Sequence, residues 1–126
     1  MSKETINNFC DLEAWKVGHA LTIKIYTITK HFPREELYGL TSQLRRASSS
    51  ITANIAEGFA RYHFKDKVRF YYQARGSAAE VQNFLLLVKD LQLINEAESQ
   101  ELYKTAEKSC RLINGLIKSI ENQKAQ

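Results

Sequence analysis

Proline is nearly absent. Pro33 is the single one in 126 residues, and only five glycines join it as helix breakers, so long uninterrupted helices are expected and chain reversals must fall at a few places. The two cysteines, Cys10 and Cys110, lie far apart with no CxxC pair and no histidine at ligand spacing. No disulfide framework or metal site is expected, and the thiols read as reduced and cytosolic. The three histidines, His19, His31 and His63, fall on separate segments. There is no HExxH pattern, no carboxylate three residues ahead of a histidine, and no glycine-rich loop to cradle phosphates. Catalysis needs converging groups or a bound metal, so the reading is a protein that is not an enzyme and has no cofactor. An Arg followed by His after four to six residues, as HEPN ribonucleases require, is also missing. The longest aliphatic or aromatic run, residues 84–88, is too short to cross a bilayer, and residues 1–8 are polar without a signal-peptide core. No membrane association is expected, and the location is expected to be cytoplasmic.

What is present is helical periodicity. With 44% hydrophobic and 25% charged residues, the composition is that of a globular protein. One domain over 1–126 is expected, with 1–10 and 122–126 loose. Ala14, Val17, Leu21, Ile25, Ile28 and Phe32 make one stripe of a first helix over about 11–32, with Asp11 as N-cap, Cys10 and Trp15 as staple, and Pro33 as stop. Leu40, Leu44, Ala47, Ile51, Ile55 and Phe59 mark a second helix, closing at Gly58 to Tyr62. A third starts near Lys65 and carries Val68, Tyr71, Ala74, Ala78, Val81, Leu85 and Val88. Asn95 and Glu98 form a reciprocal cap for a fourth, with Leu102, Ala106, Ser109, Ile113, Leu116 and Ile120. Short connections between four helices and no strand pattern predict an all-α, antiparallel up-down-up-down four-helix bundle.

Charge is unevenly spread. Residues 39–79 hold seven bases (Arg45, Arg46, Arg61, Lys65, Lys67, Arg69, Arg75) against two acids, Glu57 and Asp66. Residues 1–38 balance at five of each, and residues 80–126 carry six bases and seven acids. A local cationic excess is the footprint of a polyanionic partner. The sequence therefore points to RNA or single-stranded DNA, contacted by Arg45, Arg61, Lys65, Lys67, Arg69 and Arg75, with Tyr62, His63 and Phe64 as stacking groups in the turn between helices two and three. The plain alternative is a solvated charged turn whose aromatics close the end of the core.

Some apolar residues face away from the main stripes. Leu12, Trp15, Ile23 and Tyr26 form a second face on the first helix, and Phe84, Leu87 and Leu91 one on the third. On the second helix Ser42, Ser49, Ser50 and Ala53 make a small-residue ridge between Arg46 and Glu57. These faces predict self-association, unless the termini cover them.

Several motifs occur together and in order: F-x-D-L-x-x-W at Phe9, Asp11, Leu12 and Trp15; FPREELYGLTSQLRRA at 32–47; NIAEG at 54–58; and Gly76-Ser77-x-x-Glu80. With them the chain resembles, over nearly its whole length, the four-helix-bundle family encoded by intervening sequences inside 23S ribosomal RNA genes, also labelled S23 ribosomal protein-like. The resemblance implies a small bacterial cytoplasmic protein of unsettled role that forms a homopentamer. A similar branch, the accessory variability determinants of diversity-generating retroelements, implies nucleic-acid binding and a reverse transcriptase or other protein client. A second expectation is a protein-interaction scaffold that docks an acidic partner and has no nucleic-acid role. Within the motifs, Glu57 and Glu80 are expected to pair with Arg46, Arg61 or Arg69, Asn54 to cap or bridge helices, and Gly58 and Gly76 to serve a helix end and a close crossing.

Overall fold

The computed structural model of the chain describes residues 5–125. Its elements are four long helices, α1 (Glu13–Thr29), α2 (Ser42–Ala60), α3 (Phe64–Asp90) and α4 (Glu96–Ala125), with short 3-10 turns at Phe9–Asp11 and Arg34–Glu36 and a π-type turn at Leu37–Thr41. Of the residues expected to be loose, 1–4 and 126 lie outside the described part, and α4 stays helical to Ala125.

The first helix starts later than its stripe suggests. Asp11 caps the turn ahead of it: its carboxylate accepts from the amides of Asn7 and Asn8 at 2.9 and 3.1 Å, and Asn8 in return accepts from Cys10 N at 3.0 Å. The extended residue at the N-cap of α1 is Leu12. Phe9 makes a ring contact with Trp15, edge to ring at 5.6 Å, and Trp15 stacks on His19 at 4.6 Å. Pro33 follows the end of α1, as expected. Gly39 departs from helical geometry (φ −111°, ψ −111°), which delays α2 to Ser42.

Paired contacts set the helix directions. Arg45 Nε donates to Thr29 Oγ1 at 2.9 Å, and a Cβ on Gly18 would meet Ile51 at 3.1 Å, so α1 and α2 run in opposite senses. Ser77 donates to Ser50 at 2.9 Å and Lys67 to the Phe59 carbonyl at 2.8 Å, which reverses α3 on α2. Arg75 to Asn114 at 2.8 Å and Lys89 to Glu96 at 3.8 Å reverse α4 on α3, and Lys24 meets Glu101 at 2.7 Å across α1 and α4. The expected up-down-up-down bundle results. Its core holds the predicted inner stripes, among them Leu21, Ile25, Leu44, Ile51, Ile55, Val81, Leu85, Val88, Ala106 and Ile113, all buried.

Capping at the α3–α4 corner also follows the sequence. Asn95 N donates to Glu98 at 3.0 Å and Glu98 N to Asn95 at 2.8 Å, each side chain satisfying the other's free amide. Just before it, Gln92 is left-handed (φ 63°). Its amide bonds Lys89 O and that of Leu93 bonds Val88 O, both at 2.9 Å, the pattern that closes a helix C-terminus.

The bundle thus has two poles. One carries the 61–63 turn, the start of α1 and the end of α4. The other gathers residues 30–41 and 91–95.

Candidate nucleic-acid interface

The turn that joins α2 to α3 is three residues long because both helix ends are satisfied within a few atoms. Arg61 N bonds Gly58 O at 3.2 Å, and Lys67, one turn into α3, reaches back to the Gly58 and Phe59 carbonyls at 3.3 and 2.8 Å. An ammonium there satisfies orphan carbonyls and meets the negative end of the α2 dipole. Partial burial lowers the pKa of Lys67. Lys67, expected to contact phosphate, is therefore committed to holding the hairpin together.

The other hairpin residues point outward. Tyr62 is 88% exposed and stands edge-on to His63 at 5.1 Å, while Phe64 and Lys65 are exposed, Lys65 without a partner among the described residues. Arg61 pairs with Glu57 at 3.3 Å, as expected for that acid, and lies over the Phe70 ring at 4.8 Å. Arg69 approaches the same ring at 5.3 Å. Stacking on a ring holds a guanidinium in place while leaving its N–H edge free.

Two of the nine residues expected at this interface are elsewhere. Arg75 sits about 15 Å along α3 from Lys65, bonded to Asn114 and over Tyr72 at 4.7 Å, with the Tyr72 hydroxyl donating to Glu121 at 3.0 Å. That bond to Glu121 raises the Tyr72 pKa. Arg45 is about 22 Å along α2 from Ala60, at the opposite pole, bonded to Thr29 and over Tyr26 at 4.7 Å. Residues near in sequence are parted because each helix carries them 1.5 Å further per step. With Lys67 committed to the cap, the remaining group is Arg61, Tyr62, His63, Phe64, Lys65 and Arg69.

The residues expected at an oligomer interface also divide. Leu12, Trp15 and Phe84 are half-buried against the core, and Ser50 is tied into the α2–α3 seam, where its hydroxyl accepts from Ser77 and from Asn54 Nδ2 at 2.9 and 3.1 Å. Asn54 thus bridges to α3 through Ser50. Ile23 (56%), Tyr26, Leu87 and Leu91 (53%) are exposed, as are Arg46, Ala53 and Glu57. The sequence stripe missed Leu86, Leu37 and Tyr38, which are exposed too. Glu80 makes no ion pair among the described residues, contrary to expectation. Gly76 has no neighbouring atom within 4 Å of a built Cβ, so the close crossing lies at Gly58, where a Cβ would stand 2.7 Å from the Tyr71 ring.

The sequence model of the 23S rRNA-intervening sequence protein family matches residues 10–115. The chain belongs to this family. In keeping with that, a crystal structure of a protein of unknown function from the S23 ribosomal protein family of Bacteroides thetaiotaomicron VPI-5482 has the same fold, with a TM-score of 0.77 at 20% identity, covering 83% of this chain and 95% of the other. No curated protein matches. The motifs by which the chain resembles the 23S rRNA-intervening sequence proteins are in large part packing devices: Gly58 admits Tyr71, Asn54 and Ser77 meet at Ser50, and Asp11 holds the entry to α1. Among the described residues no three metal-ligating side chains gather, and no helix is long and apolar enough to cross a membrane.

Proposed function

We propose that this chain is a non-enzymatic, cytoplasmic, homo-oligomeric protein that binds RNA or single-stranded DNA at the α2–α3 hairpin. The observation that carries the reading is the hairpin tip itself. An almost fully exposed Tyr62 stands between Arg61 and Lys65, with His63 beside it and Arg69 behind. Exposed rings next to cations suit unpaired bases, which stack while the cations follow the phosphates.

Exposed Ile23, Leu86, Leu87 and Leu91 support self-association, and the family resemblance supports a pentamer. Copies of a weak site on one assembly gain avidity on a single strand, and such an assembly could present the strand to a reverse transcriptase or another protein client.

A salt titration with labelled single-stranded RNA tests this. Affinity should fall steeply with salt, and the combined Arg61→Gln, Lys65→Gln, Arg69→Gln variant should flatten the log–log slope by about two. No binding even at low salt would overturn the reading and favour a scaffold that docks an acidic protein.

A further inference from the structure

At the pole opposite the hairpin, α1, the π-type turn and α2 enclose an open groove of about 480 Å³, lined by Tyr26, Tyr38, Ser42, Arg45, Arg46 and Ser49 together with apolar and threonine side chains. We propose that this groove is a binding site for a nucleoside monophosphate, its phosphate held by Arg45 and Arg46 and its base stacked on Tyr38.

The charge of the groove favours an anion. Two guanidinium groups line one concavity and no carboxylate does, which concentrates positive potential there. Glu36, on the turn leading in, is turned to the backbone, accepting from Leu40 N at 3.3 Å. The two arginines differ in readiness. Arg45 is fixed by Thr29 at 2.9 Å and by the Tyr26 ring at 4.7 Å, with its terminal nitrogens left over. Arg46 is exposed, and its guanidinium has no hydrogen bond or ion pair among the described residues.

The form of the anion follows from the donors. A carboxylate offers one two-oxygen edge to one guanidinium fork. A phosphate monoester, with nearly two charges and three terminal oxygens, can serve both forks and the Ser42 hydroxyl together. The aromatic half of the ligand follows from Tyr38, a residue 94% exposed in the groove lining, with a ring face that an attached flat base can cover. The volume lies in the range of small-molecule sites. Because the groove is about 22 Å along α2 from the hairpin, this site and the hairpin interface stand or fall separately.

Titration of the full-length protein with adenosine 5′-monophosphate, inorganic phosphate and adenosine, followed by amide NMR shifts, tests the assignment. The nucleotide should move the amides of residues 38–49 and bind at least about tenfold tighter than phosphate or adenosine alone. Arg46→Gln should weaken it about tenfold, Tyr38→Ala should reduce it to the affinity of phosphate, and Arg61→Gln with Lys65→Gln should leave it unchanged. Competition separates the sources. An oligonucleotide with a 5′-phosphate that displaces the nucleotide, where its 5′-hydroxyl counterpart does not, identifies a strand end as the ligand, and failure of both to displace it identifies the free nucleotide. Shifts spread over the whole basic surface, or indifference to Arg46→Gln, overturn the proposal. So does a groove silent to nucleotide while Arg46→Gln dissociates an oligomer, since a second copy would then be its occupant.

Discussion

Among the glycines, Gly58 has the least room for a side chain. Its missing side chain is what lets Tyr71 pack under the end of α2, with a built Cβ falling 2.7 and 2.9 Å from ring carbons and 3.1 Å from Phe70 Cβ. Tyr71 is buried, so the ring has little room to yield. Gly58→Ala should destabilise the protein by about 1–3 kcal/mol despite the better helix propensity of alanine, read as a lower midpoint in urea. Asp11 acts through charge. Its pKa is lowered, first by the bond from the Asn7 amide and then by that from Asn8. A carboxyl depressed in the folded state adds stability above its ordinary value of 3.8, and that contribution is lost as the pH falls through the lower folded value. As the pH falls from the ordinary carboxylate value through the lower folded one, the turn at Phe9–Asp11 should therefore open and uncover Trp15, visible as a red shift of its fluorescence, and Asp11→Asn should remove that acid transition.

At the level of the element, the α2–α3 hairpin divides its cations between two tasks. Lys67 closes the C-terminus of α2, while Lys65, two residues before it, has no partner among the described residues. Lys67→Gln should lower thermal stability by about 1 kcal/mol, the worth of a lost hydrogen-bonded cap. Lys65→Gln should leave the melting temperature unchanged and weaken only the proposed nucleic-acid binding. Equal effects of the two variants on stability would show that the cap is not formed. The seam just inside the hairpin is polar: Ser77, Ser50 and Asn54 form one hydrogen-bonded chain across α2 and α3. It fixes the register that brings Gly58 opposite Tyr71.

For the whole molecule, the decisive feature is how surfaces are shared between the poles. Cationic and aromatic groups occupy the hairpin tip. Leu86, Leu87 and Leu91 stand exposed toward the end of α3 at the other pole, too close together to be ordinary scattered surface residues. Assembly through that region would leave the hairpins clear of the contacts, so several could reach one strand. Leu87→Glu with Leu91→Glu should convert the proposed oligomer to monomer in sedimentation velocity while preserving helical content. It should also weaken binding to long RNA far more than to a short oligomer, because avidity is lost while each hairpin is intact.

The helices, their inner faces and the cap at Asn95 and Glu98 were readable from residue order, because each depends on repeats of three or four residues or on an acid three positions away. The clustering of charge in 39–79 was readable too, but its use was not. Arg45, Arg75 and Lys67 look alike in the sequence, and packing gave each a different partner: Thr29 from α1, Asn114 from α4, the carbonyls at the end of α2. Those partners lie between 8 and 39 residues away. Helical rise also separates bases that are neighbours along the chain by up to the length of a helix. Local periodicity tells which face a residue is on; whether its charge is spent or free depends on what another helix brings against it.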